Sequence, residues 1–189
     1  MPIDEFRANT FNTYTQSTPS VESFGDGLTV VVWQSQYQEA VQNGGGWNWG
    51  VYGQVYGPKG SPLGDEFLIN TYTESNQGTP AIATLEDGGF IVTWYDDSGH
   101  SGGSSYDIRG QRFNSSGEVS GSEFLINTEV SGTQTSPAVS SLSDGGFVAT
   151  WRDDNGSSHG GSGYDIRAQR FDVNSDPAGT EFLVNVAQV

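Results

Sequence analysis

Two stretches of the chain gather oxygen atoms of the kind that hold a hard divalent cation. One runs Asp96, Asp97, Ser98 and on to Asp107; the other runs Asp153, Asp154, Asn155 and on to Asp165. Calcium takes about six to eight oxygens from carboxylates, amides, backbone carbonyls and water. Clustered aspartates beside flexible Gly and Ser residues can supply them, and the cation relieves the repulsion among the carboxylates. The same residues read equally as acidic, solvated turns. A corresponding earlier stretch has Gln34, Ser35 and Gln36 and no Asp, so no cation is expected there.

That earlier stretch leads instead to Trp47 and Trp49, set among Gly and Asn residues. Indoles beside amides suit stacking on a sugar ring, with Gln36, Gln38 and Asn48 as hydrogen-bond partners. Trp49 aligns with Tyr106 and Tyr164, which makes those tyrosines candidates for the same contact and all three candidates for structural packing. Trp47 has no counterpart. His100 and His159 have no neighbouring His or Cys and read as loop residues rather than metal ligands. Asp107 with Arg109, and Asp165 with Arg167, stand two residues apart on one strand face and read as structural ion pairs or as bonds between units. Gln111 and Gln169 read as bonds to backbone between strands. No GxSxG, HExxH or phosphate-binding loop is present, and the acidic residues recur in register as structural loops do. The expectation is therefore a protein that is not an enzyme. A glycan-active hydrolase using two carboxylates from different units is kept as an alternative.

What must position these residues is a repeat. EFLIN occurs at Glu66–Asn70 and at Glu123–Asn127, with the variants EFRAN at Glu5–Asn9 and EFLVN at Glu181–Asn185. From Glu5 through Glu66 and Glu123 to Glu181 the intervals are 61, 57 and 58 residues. Between these markers come Pro19, Pro80 and Pro137, a glycine turn, and a strand ending in Trp33, Trp94 or Trp151. A third block follows in each copy, with Gln54, Gln111 and Gln169 in register. Segments such as PAVSSL, FVATW, DIRAQRF and EFLVN are rich in β-branched and aromatic residues and are bounded by Gly, Ser, Asn and Asp, so each unit reads as four short strands. In FVATW, Phe147, Ala149 and Trp151 share one face. No stretch shows sustained helical periodicity.

The fold expected is all-β: three four-stranded antiparallel blade-like repeats, either β-propeller-like and closed by oligomerisation or threefold β-prism-like. The chain reads as one repeat domain over 1–189. Residues 1–17 are a surplus EFxxN strand and linker, 18–70 a divergent first repeat, 71–127 the second and 128–189 the third. A surplus strand can complete a unit of a neighbour, so a homo-oligomer is expected, a dimer being one form of it.

Composition narrows the partners. A formal charge of -16 repels phosphates and anionic membrane surfaces, so neither nucleic acid nor membrane insertion is expected. Aromatic residues at 12% set the chain apart from disordered sequences. The absence of cysteine removes disulfides, thiol catalysis and Cys-ligated zinc. The segment Met1 to Arg7 is acidic and has no apolar signal core, so export is expected to proceed without a cleaved N-terminal signal in this chain.

The run DGGFxxTW, then DIRxQRF and EFLxN, resembles tandem repeats of very large bacterial surface and secreted proteins, many of them in the haemolysin-type calcium-binding RTX group. The resemblance spans Glu5 to Asn185. It implies export, adhesion or ligand binding and calcium-dependent folding, hence an extracellular or cell-surface binding or adhesion module with calcium as cofactor; the aromatic residues of the Trp47 loop add the expectation of a lectin-like, carbohydrate-binding character with glycans as partners. A purely structural self-assembling unit is the alternative. Gly160 to Asp165 fits the first six positions of the RTX nonapeptide once, and Arg167 stands where that motif wants an apolar residue.

Overall fold

The computed structural model describes residues 5–43, 46–100, 106–154 and 163–185. Each repeat folds as an antiparallel meander of four strands. Sheet 1 is β1 (Gln16–Ser23), β2 (Thr29–Gln36), β3 (Trp49–Tyr56) and β4 (Pro62–Leu68). Sheet 2 is β5 (Gln77–Thr84), β6 (Phe90–Asp96), β7 (Asp107–Phe113) and β8 (Val119–Leu125). Sheet 3 is β9 (Gln134–Ser141), β10 (Phe147–Asp153), β11 (Asp165–Phe171) and a short β12 (Phe182–Leu183). One helix, α1 (Gln38–Asn43), stands between β2 and β3. At six residues it is too short to show a periodicity in the sequence.

The turn between the first two strands of each sheet is set by a glycine with positive φ at Gly27, Gly88 or Gly145, the conformation a tight hairpin demands. The fourth strand carries a bulge, and the glutamines expected to bond backbone fill it. The Nε2 of Gln54 donates to the Leu63 and Gly64 carbonyls, that of Gln111 to Gly121, and that of Gln169 to Gly179.

The sheets stack in chain order, first on second and second on third, and alternation along the strands decides what lies between them. Val30, Val32, Val51 and Ile69 of sheet 1 pack against Ile82, Phe90, Val92, Trp94 and Phe113 of sheet 2. Leu85, Ile91, Ile108 and Ile126, on the opposite face of sheet 2, pack against Phe147, Ala149, Trp151 and Phe171 of sheet 3. The middle sheet is thus buried on both faces, while sheets 1 and 3 each keep one open face. Cross-strand ring stacks, Phe90 on Phe113 at 5.0 Å and Phe147 on Phe171 at 4.7 Å, add about 0.5–1.5 kcal/mol each beyond area burial.

A second contact repeats at the outer edge. Phe67 of sheet 1 lies 5.7 Å from Phe113 of sheet 2, and Phe124 of sheet 2 lies 5.8 Å from Phe171 of sheet 3. A carboxylate closes each junction. Glu123 accepts from the backbone N–H and the hydroxyl of Thr71, both at 2.7 Å, and Glu181 accepts from the corresponding groups of Thr128. The N-terminal segment imitates this arrangement without forming a strand: Phe6 lies 5.6 Å from Tyr56, and Glu66 accepts from the N–H groups of Thr10 and Phe11.

Candidate functional site

The carboxylates singled out in repeats 2 and 3 lie at strand ends and carry protein partners. Asp96 accepts from Arg109 Nε at 2.6 Å, from Gln77 at 3.0 Å and from Ser98, while Arg109 also reaches Glu123 at 3.1 Å. The guanidinium lies 4.7 Å from the centre of the Tyr72 ring, and the His100 ring meets Tyr72 at a tilt, 3.9 Å between centres. Sheet 3 repeats the pattern: Asp153 accepts from Arg167 at 2.8 Å and from Gln134, and Arg167 reaches Glu181 at 2.8 Å. The arginines expected to pair along their own strand thus pair across strands, Arg109 with Asp96 and Glu123 and Arg167 with Asp153 and Glu181. Asp107 and Asp165 accept from Asn127 and Asn185, and Asp97 and Asp154 cap the turns at Asn76 and Thr133. Among the described residues no group of three or more His, Cys, Asp or Glu side chains converges on one point. Asn155 and His159 lie outside the described residues.

Repeat 1 lacks this apparatus. Ser35 stands where sheets 2 and 3 have Asp96 and Asp153, Gly50 where they have Asp107 and Asp165, and Tyr52 where they have the arginines. The room is taken by α1, which inserts Gln38 and Glu39. A Cβ at position 50 would collide with Glu39 Oε1, so the glycine is what admits the carboxylate. Glu39 is 3% exposed, and burial pushes its carboxyl from 4.5 up to about 6. Burial, followed by the charges of Glu39 and Glu66, raises the Tyr52 hydroxyl well above the usual phenol range. Gln38 Nε2 donates to Glu66 at 3.0 Å.

Above this buried cluster the loop of repeat 1 presents aromatic rings. Trp47 is 65% exposed and Tyr14 is 49% exposed. Tyr37 stands between them, 5.4 Å from Trp47 and 5.1 Å from Tyr14, both edge-on, and Tyr14 meets Trp47 edge-on at 6.5 Å. Edge contacts hold a ring in place while leaving its face open. The loop is tied at its foot: Tyr37 N–H donates to the Asn48 carbonyl at 2.8 Å, Asn48 Nδ2 to Thr73, and Trp49 N–H to Asn76 Oδ1. Gln36 pairs with Trp49 across β2 and β3, which puts its amide beside the same loop.

Of the aromatic candidates read from sequence, only Trp47 belongs to this cluster. Trp49 is half-buried at the start of β3, Tyr106 packs edge-on against Tyr95 at 5.2 Å, and Tyr164 lies under the Arg152 guanidinium at 4.0 Å. The alignment of the three residues thus reflects strand register and not a shared role. Sequence reasoning missed Tyr14 and Tyr37. Their signal was substitution within the repeat, since Tyr14 falls where the other copies have Ser75 and Gly132.

In comparisons with protein-family models and with curated protein sequences, nothing matches the chain. Solved structures do match. The Hadza microbial sialidase Hz136 is similar with a TM-score of 0.60 and 12% identity over 92% of this chain and 38% of that one. A protein of unknown function from Dyadobacter fermentans has a TM-score of 0.59 and 13% identity over 89% of this chain and 53% of that one. A thermostable family-43 glycoside hydrolase has a TM-score of 0.57 and 12% identity over 94% of this chain and 60% of that one. The chain therefore spans between 38% and 60% of the length of these structures. At such identities the likeness shows the fold alone.

This likeness corrects the expectation that the chain is not an enzyme. The sialidase and the glycoside hydrolase share its fold, so the architecture is one that hydrolytic enzymes use. The reason the sequence misled is physical. In-register carboxylates such as Asp96 and Asp153 report how the sheets are held together, and a site is grafted onto loops that need not repeat.

Proposed function

We propose that this chain is a carbohydrate-recognising domain whose three sheets are successive blades of a propeller-like array. The observation that carries the reading is the placement of Trp47, exposed and braced edge-on by Tyr37, in the one repeat whose sheet has no Asp–Arg pair at the Ser35 and Tyr52 positions. An indole face held rigid in this way offers a flat apolar surface to the axial hydrogens of a pyranose or furanose ring, at little entropic cost on binding. Tyr14 forms the side of the platform. Gln36 and Asn48 stand at its foot as donors and acceptors for sugar hydroxyls.

The structures that share the fold support the reading, because a sialidase and a glycoside hydrolase are proteins that act on glycans. Loss of the Asp–Arg pairing in repeat 1 supports it as well, since that position is under no visible demand to hold strands together. The test is a panel of soluble oligosaccharides titrated against the chain and against Trp47→Ala, with intrinsic fluorescence as the readout. Binding that quenches tryptophan emission and is lost in the variant is the expected outcome. Equal binding by both proteins would remove Trp47 from the site.

A further inference from the structure

Two rings of the aromatic cluster stand on a backbone that disfavours them. Tyr14 has a φ of 63° and Tyr37 a φ of 61°, in the left-handed region where a Cβ crowds the following carbonyl and bulky residues are seldom found. The other non-glycine residues there, among those described, are Thr18, Ser75, Thr79, Ser136 and Ser175, all of them small. Each stands where the repeat turns the chain the same way in another copy. Thr18, Thr79 and Ser136 share one register, and Ser175 shares another with Gly60 and Gly117.

For Tyr14 the backbone belongs to the repeat and the ring does not. In every copy the turn before the first strand is closed by a glutamine: the Nε2 of Gln16, Gln77 or Gln134 donates to the carbonyl of Thr13, Glu74 or Ser131. The residue after that carbonyl is left-handed in all three, with Ser75 at 66° and Gly132 at 78°. Sheets 2 and 3 thus use small residues, which this conformation tolerates best. Sheet 1 places an aromatic ring there, and burial does not offset the strain, because Tyr14 is 49% exposed.

Tyr37 stands outside the repeat altogether, since Ser98, its counterpart in sheet 2, is not left-handed. Its N–H donates to the Asn48 carbonyl at 2.8 Å and its carbonyl accepts from the Val41 N–H at 3.2 Å. The Trp47 loop and α1 together therefore fix the residue, and its ring meets both Tyr14 and Trp47. Strain held at exposed aromatic residues points to a use other than packing.

We propose that Tyr14 is a ligand-contacting residue that sets specificity, retained against the stability of the fold. The inference rests on the carbohydrate reading of the platform and adds a second wall to it. Trp47 takes the face of a sugar ring. Tyr14, whose plane stands at 89° to the indole with centres 6.5 Å apart, takes its rim. A lone indole leaves a stacked sugar free to turn about the stacking axis, whereas a corner of two rings seats one saccharide unit in one orientation.

The test compares wild type with Tyr14→Gly, which installs the residue type found at this place in sheet 3, and with Tyr14→Phe, which keeps the ring. Each protein is titrated with cellotetraose, xylotetraose and chitotetraose, and each is melted without sugar. The tetraose that wild type binds is expected to bind Tyr14→Gly at least about fivefold more weakly, and Tyr14→Phe recovers the larger part of that loss. The melting temperature of Tyr14→Gly is expected to equal or exceed that of wild type. Weaker binding with a lowered melting temperature would make the ring a packing element and overturn the proposal. Undiminished binding by Tyr14→Gly beside a loss in Trp47→Ala would overturn this assignment alone and leave the carbohydrate reading standing. A wild type that binds none of the three overturns the assignment, and a blank across the wider oligosaccharide panel overturns the reading as well.

Discussion

The Nε of Arg109 donates to Asp96 at 2.6 Å with both side chains almost wholly buried. Arg167 and Asp153 repeat the pair at 2.8 Å in the next sheet. In the first sheet the two positions are Tyr52 and Ser35, and the charge is supplied from elsewhere by Glu39. This divergence separates what holds the sheets from what the first repeat is free to present.

Breaking the Arg109 pair leaves a guanidinium partly uncompensated inside the protein. Asp96→Ala is expected to cost about 3–5 kcal/mol, whereas Arg170→Ala, which removes a pair exposed on both sides, costs at most about 1 kcal/mol. Urea unfolding of the two variants checks the contrast. Similar losses would show that the buried pair contributes no more than a surface one.

Glu39 makes the first sheet sensitive to pH. Its carboxyl is raised from 4.5 to about 6 by burial, so the folded chain holds that proton more tightly than the unfolded chain. Protonation therefore stabilises the fold. The gain is complete below about 4.5 and is lost as pH rises through about 6. After allowance for solvent screening it amounts to about 1 kcal/mol. Glu39→Gln is expected to be more stable than wild type above pH 6 by that amount, with the difference vanishing in acid. A constant difference at every pH would assign the effect to packing instead.

Two glycines in the β7–β8 hairpin separate backbone strain from steric exclusion. Both have positive φ, but a Cβ at Gly117 would lie 2.9 Å from the Phe67 ring of the preceding sheet, while one at Gly121 meets nothing within 4 Å. Gly121→Ala is expected to cost about 1 kcal/mol and Gly117→Ala about 2–3 kcal/mol, the excess being the displaced ring. Equal costs in thermal unfolding would mean that the Phe67 contact yields without penalty.

Much of the fold was legible because the inter-sheet contacts fall at fixed positions of the repeat. Trp94 and Trp151 face the preceding sheet, the bulge glutamines fill the same slot three times, and the EFxxN segments close each junction, so packing imposes the spacing that the sequence displays. The partners of Arg109 were less legible. Asp96 and Glu123 lie on strands to either side of it, and pairing across strands leaves no trace in local spacing. Of the aromatic platform only Trp47 was legible, with Gln36 and Asn48 at its foot. Tyr14 and Tyr37 precede it by 33 and 10 residues and come to it through the turn before β1 and the loop after β2, a convergence that only the folded meander creates.

The most direct test of the account is a calorimetric titration of a neutral oligosaccharide identified in the panel into wild type, Trp47→Ala and Tyr106→Phe. Trp47 forms the platform and Tyr106 lies in another repeat against Tyr95. The account predicts saturable binding by wild type, at least about tenfold weaker binding by Trp47→Ala, and no change for Tyr106→Phe. Wild-type affinity in Trp47→Ala, with its melting temperature intact, would contradict it.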